Sequence, residues 1–517
     1  MPLSEEKIFE ALKNFFEIHG TAHIQLDSYN DFITRGIQKI IDEKPEIIVN
    51  PKKNQKITFS MNNVFIGTPV IIDEDRVVRK ITPAEARNRD LTYQSTIYVD
   101  ITEKTFNEEN LISEKLYQRV AIAQIPTMVY STVCNLYDKS KQERIEAGEC
   151  RFDQGGYFII NGKERVIVAQ QRPNYNFIQV IEQSVTSSSK YKYISEIRSV
   201  AEESGYSVLV QTMMSVNERT IYASLPNIKE AIPAGIVFKA LGFTEEKDIR
   251  CFINNKYDIG HKFVKYIIQD SAHITNREAA LLYISKYPMY AIPKDKQEVY
   301  AKQVVERELF PHLGITATLY DKATFLGAMI NKLITVTIGV RKDDDRDNVS
   351  NKRIETTGGL ILELFRTAMD TFHKSINLQL QKRLDINFAI SHCNIITKSI
   401  MLCFKTGNWA IKKTGHVKMG VSQILNRMTY GATLSHLRHV VIPIGKEGKN
   451  AKIRQIHTSQ FGFICPAETP EGATSGIVTN FSILTKVSKR SSTLITKEVL
   501  QNCENFMPLY KGGINIV

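Results

Sequence analysis

Seven cysteines, at positions 134, 150, 251, 393, 403, 465 and 503, are scattered through 517 residues without a single Cys-x-x-Cys pair. That scatter argues against a zinc site built within the chain, and free thiols of this kind suit a reducing, intracellular setting. No apolar run approaches the roughly 20 residues needed to cross a bilayer, so no membrane association is expected. Met1 to Glu10 carries acidic side chains and no apolar stretch, which is not the composition of a secretory leader. Tryptophan occurs once, at 409.

What is present is an ordinary globular composition, 43% hydrophobic and 24% charged, in a chain too long for one core. Several domains of α+β character are therefore expected. The net charge of +12 favours an acidic partner, with nucleic acid first because Lys and Arg neutralise phosphates. A Lys-rich surface without a specific partner would account for part of that bias.

Apolar spacing places a helix after Ser4, with Ile8, Leu12, Phe15 and Phe16 as its core stripe and Gly20 as its stop. Asp27 is read as opening a second helix, carrying Phe32, Ile33, Ile37, Ile40 and Ile41. The pattern turns to strand at Lys56 to Phe59, Val64 to Ile66, Val70 to Ile72 and Thr96 to Val99. Asn161-Gly162 sits between two apolar runs and suits a two-residue hairpin turn. The polar stretch Ser184 to Lys190 reads as a loop and a domain boundary. Strands at Tyr206 to Met213 and Thr220 to Leu225 precede a mainly helical region reaching Val340. Asp343, Asp344, Asp345 and Asp347 could suggest a metal site, but Arg341, Lys342 and Arg346 beside them favour a salt-bridged turn. Leu360 to Leu384 reads as a long helix buried through Leu364, Phe365, Met369, Phe372 and Ile376. Gly420 to Arg438 reads as helical again, through Val421, Ile424, Leu425 and Met428.

The stretch Gln460 to Gly476 is a stiff loop by its chemistry. Pro466 and Pro470 each fix φ and remove a backbone donor, while Gly472 and Gly476 permit backbone that other residues resist. Glu468 and Glu471 are held on that frame, as structural or orienting carboxylates rather than an acid–base pair. Lys446, Lys449, Lys452 and Arg454 precede the loop on a basic, glycine-punctuated arm suited to phosphates.

A collinear set of motifs carries a resemblance. These are Gln25-Leu26-Asp27-Ser28-Tyr29-Asn30, Glu85-Ala86-Arg87, Leu91-Thr92-Tyr93, Phe152 to Gly162, Asp344-Asp345-Arg346-Asp347, Thr406-Gly407-Asn408-Trp409, Gly420-Val421-Ser422-Gln423, Thr433 to Arg438, and the proline loop. Together they resemble the second-largest, β-like subunit of multisubunit DNA-directed RNA polymerases of the eukaryotic, archaeal and large-DNA-virus type. The resemblance implies a protrusion domain at 1–172 and 355–405 with a lobe inserted at 173–354. A fork would follow at 406–480, and the start of an external region at 481–517.

It also implies that Gln423, Asn426, His436 and Arg438 line a nascent-RNA path, with Arg427 among the nucleic-acid-binding residues. Lys446, Lys449, Lys452 and Arg454 would meet nucleic acid at the fork loop, with Pro466, Glu468, Pro470, Glu471 and Gly472 as structural support. No catalytic residue and no metal ligand is expected within the chain. Mg²⁺ in the assembled enzyme would be held mainly by the largest subunit. The implied partners are that subunit, a chain carrying the later part of the second-largest subunit, other polymerase subunits, DNA and RNA. The competing expectation is a non-enzymatic nucleic-acid-binding or assembly protein of the same architecture.

Overall fold

The computed structural model describes residues 4–488 except 53–54, 74, 108–109, 184–188, 202–204, 291, 315, 411–416 and 445–450, and in addition residues 495, 498 and 499. The α+β expectation holds: helices and several small sheets alternate along the chain. The chain divides into two compact units, one formed by 1–172 with 352–489, the other by 173–351 with 490–517.

The first unit is built on a four-stranded antiparallel sheet of Ile47–Lys52, Gln55–Ile66, Gln94–Asn107 and Asn110–Pro126. Lys56–Phe59 and Val64–Ile66, read as separate strands, are one strand broken in register between Met61 and Val64. The helix Thr357–Lys382 lies against this sheet, and its buried residues include Leu364, Phe365, Met369, Phe372 and Ile376 at helical spacing. The second helical run begins at His23, not Asp27, and continues through a π-turn at Phe32–Gly36 to Asp42. Phe32, Ile33, Ile37, Ile40 and Ile41 are all buried.

The first helix, Glu5–His19, forms as expected and stops at Gly20, whose φ is 71°. Its apolar stripe is nevertheless not core: none of its residues is buried, and Phe9 is 76% exposed. Amphipathic spacing sets which residues share a face; it does not supply a neighbour to cover that face.

Gln25 ties distant parts of this unit together. Its Nε2 donates to the carbonyls of Ile167 at 3.1 Å and Leu437 at 3.0 Å, and its Oε1 accepts from Thr357 Oγ1. Next to it, Ser28 Oγ bonds Thr356 Oγ1 at 2.6 Å and accepts from the Gly358 amide at 2.8 Å. Gly358 is required here, because a Cβ would collide with the Ser28 carbonyl.

The Asn161-Gly162 turn links Phe158–Ile160 to Lys163–Ile167, with both turn residues at positive φ, 48° and 71°. Ser422–Ile424 adds a third strand to this hairpin, pairing Gln423 with Val166. A second small sheet orders Lys352–Glu355, Ala169–Pro173, His439–Val441 and Val478–Asn480.

The second unit starts with an antiparallel meander in sequence order: Gln179–Glu182, Tyr191–Val200, Ser207–Ser215, Ile221–Ser224 and Ile232–Pro233. The expected boundary at Ser184 to Lys190 therefore falls between two paired strands of one sheet, although residues 184–188 themselves lie outside the described set. Helices fill 234–337, and the last, Leu319–Thr337, begins with a Thr318–Asp321 capping box. Asp344 pairs with Lys332 at 2.7 Å and Arg341 at 3.3 Å, which is a salt-bridged turn.

Candidate nucleic-acid interface

The helix expected over Gly420 to Arg438 is half strand. Ser422–Ile424 pairs with the hairpin, and helix appears only at Tyr430–Leu437, where Thr429 Oγ1 caps the amide of Ala432 at 3.0 Å. Val421 and Leu425 are buried four residues apart, which imitates a helical stripe. Ile424 and Met428, assigned to the same stripe, are 61% and 87% exposed.

This strand–loop–helix brings three of the expected residues into contact. The Asn426 amide donates to His436 Nδ1 at 3.1 Å, so the ring proton lies on Nε2, which donates to Gln423 Oε1 at 3.0 Å. Gln423 Nε2 in turn donates to the Gly420 carbonyl at 2.9 Å. Asn426 Oδ1 accepts from the Met428 amide at 3.0 Å, and its carbonyl accepts from Thr433 Oγ1 at 2.7 Å. Burial, reinforced by the neighbouring His439, pushes His436 down to about 4, so the ring is neutral at physiological pH.

Arg438 and Arg427 are placed differently. Arg438 donates to the carbonyls of Thr21 (3.2 Å), Ser482 (2.6 Å) and Ile483 (3.1 Å), and burial lowers its basicity. Arg427 lies across Glu164, at 2.6 and 3.0 Å, and Asp153, at 3.4 Å, with its guanidinium 4.8 Å from the Tyr157 ring centre. Burial opposes that charge, but the bond to Glu164 outweighs it and raises the group.

The proline loop is tied to the strand Val478–Asn480. Cys465 donates its amide to the Asn480 carbonyl at 2.8 Å. Thr469 Oγ1 donates to the Val478 carbonyl and accepts from the Gly476 amide, both at 2.9 Å. Glu468 accepts from Ser435 Oγ at 2.5 Å, and Asn480 Nδ2 donates to the same hydroxyl at 2.9 Å. Glu471 is exposed and makes no bond among the described residues. Pro466, Pro470 and Gly472 are exposed as well. Arg454 donates to the carbonyls of Ala473 at 2.8 Å and Ser475 at 2.9 Å. Gly476, at φ 71°, passes so close that a Cβ would lie 2.5 Å from the Arg454 carbonyl. Lys452 stands beside Arg454 in a single 3₁₀ turn. Lys446 and Lys449 lie outside the described residues.

Reading the sequence missed Ser435 and Asn480, which hold Glu468, and Asp153 and Glu164, which hold Arg427. The signal available was Asp153 ahead of the hairpin and Glu164 within its second strand. Among the described residues, no group of three or more His, Cys, Asp or Glu side chains converges as a metal site. No helix among them is long and apolar enough to cross a membrane.

A family model described as RNA polymerase beta subunit matches residues 20–401, and one described as RNA polymerase Rpb2, domain 3, matches residues 423–487. The chain belongs to the RNA polymerase beta subunit family, and corresponds to the N-terminal portion of its second-largest, Rpb2-type subunit.

It is 36% identical to a probable DNA-directed RNA polymerase II subunit RPB2 homolog of Invertebrate iridescent virus 6, over 96% of this chain and 46% of that protein. It is 33% identical to DNA-directed RNA polymerase II subunit 2 of Arabidopsis thaliana, over 98% of this chain and 45% of that one. The chain thus spans about half the length of these relatives. With DNA-directed RNA polymerase subunit Rpo2N of Methanocaldococcus jannaschii it shares 34% identity over 95% of this chain and 98% of that one.

Proposed function

We propose that this chain supplies the N-terminal half of the second-largest subunit of a DNA-directed RNA polymerase, acting only within a multisubunit complex. In this reading residues 1–172 and 355–405 are the protrusion, 173–354 the lobe, 406–480 the fork and 481–517 the start of the external region. The fork lines the path of template DNA and nascent RNA. The partners are the largest subunit, a chain or segment carrying the rest of the second-largest subunit, and the other polymerase subunits. The compartment of action is intracellular.

The observation that carries the reading is the interlocked Gln423–His436–Asn426 group, followed along the chain by the basic segment at Lys452. The neutral imidazole spends both ring nitrogens on Asn426 and Gln423, and the side-chain amides it holds can offer hydrogen bonds without charge. That suits a polymer that must slide past rather than be held. Lys446, Lys449 and Lys452 serve as phosphate contacts in the same reading, whereas Arg454 and Arg438 donate to backbone carbonyls and fix the loop. In this reading the catalytic Mg²⁺ of the assembled enzyme is held mainly by the largest subunit.

The test is elongation by the assembled polymerase carrying Gln423→Ala or His436→Ala. Each change should shorten the lifetime of the transcribing complex about five- to tenfold, the value of one hydrogen bond of ~1 kcal/mol. Unchanged lifetimes in both variants would overturn the assignment of this face.

A further inference from the structure

Four charged side chains and one tyrosine close a ring beneath the Gln423–His436–Asn426 group. Arg87 Nη1 donates to Tyr157 Oη at 3.0 Å and to Glu164 Oε1 at 3.3 Å. Tyr157 Oη donates to Asp153 Oδ2 at 2.5 Å, and Arg427 closes the circuit across Asp153 and Glu164. Arg87 also carries Glu149 at 2.5 Å, whose side chain is 1% exposed. Tyr157 is fully buried, and the Asp153 side chain is 4% exposed. These residues come from four separate stretches of chain, so the ring is a tertiary device rather than a local one.

Its placement is informative. Arg427 directly follows Asn426, whose amide sets the His436 tautomer, and Leu425 donates its amide to the Glu164 carbonyl at 3.0 Å. Beyond Ile424 the strand pairing has ended, and residues 426–429 have no regular hydrogen bonding until Thr429 caps the next helix. The guanidinium is therefore the main side-chain tether of that loop to the hairpin. A planar fork is needed, because one group must span two carboxylates while lying flat on an aromatic face.

We infer that Arg427 is a positioning residue: with Arg87, Asp153, Tyr157 and Glu164 it fixes the loop that orients Asn426, His436 and Gln423, and it does not bind phosphate. The structural part stands on the ring geometry alone. Its consequence for transcription rests on the function proposed above.

Arg427→Ala and Arg427→Lys separate the two roles. A phosphate contact tolerates lysine, and its loss lowers the salt dependence of nucleic-acid binding by about one unit of slope. A bridging, stacked guanidinium is not replaced by lysine. We expect both variants to speed amide hydrogen exchange at Leu425, Asn426 and Met428 about tenfold in the full chain, with exchange in Leu319–Thr337 as the internal standard. In the assembled polymerase both should leave the salt slope unchanged and add nothing to the defect of His436→Ala.

Wild-type exchange in both variants, or a lysine variant with wild-type exchange and function beside an alanine variant of reduced slope, would overturn the inference. If neither Gln423→Ala nor His436→Ala affects elongation, the proposed function fails while the exchange measurement still decides the ring.

Discussion

The two units neutralise the cations packed against their folds by different chemistry. In the first, Arg87 and Arg427 lie against carboxylates, and Lys418 sits between Glu355 at 2.7 Å and Glu363 at 3.1 Å. Arg438, on backbone carbonyls, is the exception. In the second unit the burden falls on lysines that donate to carbonyls: Lys239 to Ser271 and Ile274, both at 2.6 Å, and Lys322 to Glu306 at 2.7 Å. Lys332 adds Asp344 to a carbonyl. The consequence follows from the two headgroups. Burial lowers all three lysines, Lys322 to about 8, because an ammonium can shed its proton and remain a donor. A guanidinium cannot, so it needs a counter-charge. One unit holds its cations mainly against carboxylates, the other mainly on backbone carbonyls, where burial lowers the lysines' basicity.

Three experiments would break or sharpen that contrast. The largest effect should come from Arg87→Met, which strands Glu149 and part of the ring without a cation. Removing one partner of a buried pair costs about 3–5 kcal/mol. The fully buried Trp409 makes unfolding of the first unit visible by fluorescence in urea. An unchanged midpoint would mean the pairing contributes nothing.

Lys239→Met should cost less, about 1–3 kcal/mol, the penalty for withdrawing the ammonium from the Ile274 carbonyl and from a Ser271 carbonyl that keeps only the Ile274 amide. The loss should appear as faster hydrogen exchange in Asp258–Asp270 while the Trp409 transition stays in place. A shift of both would join the units energetically.

The smallest effect is a pH dependence. Lys322 has a folded value near 8 against an ordinary 10.5, so between those pH values the unfolded chain binds more protons than the folded one. Raising pH through that window therefore stabilises the second unit, and the gain is lost as pH falls back toward 8. Lys322→Met should flatten the thermal stability profile between pH 8 and 10.5. An identical slope in the variant would remove Lys322 from the account.

Much of the fold was legible because it depends on local patterns. The helix Thr357–Lys382 repeats its apolar residues often enough to be unmistakable, and Asn161-Gly162 left few turns available. The interface was only partly legible. Gln423, Asn426 and His436 were picked out by likeness, and their mutual bonds span a strand and a helix that spacing alone had merged. Arg427 illustrates the reason for the failure. Its partners lie 263 and 274 residues away, and pairing over that distance leaves no periodic trace in the sequence. The first helix fails in the opposite sense, since its pattern is clear and its neighbour is not encoded locally.

The side chain of Gln25 has a consequence in time. It bonds residues 167, 357 and 437, so the first unit cannot close until the ribosome has passed all of them. At roughly 5–20 residues per second, the interval between residues 167 and 437 is on the order of 15–55 s. Throughout it the face that the four-stranded sheet of residues 47–126 buries against Thr357–Lys382 waits uncovered, while residues 173–351 of the second unit emerge in between. Chaperone dependence during synthesis should therefore concentrate on the first 172 residues, and placing residues 352–489 earlier by circular permutation would shorten the wait.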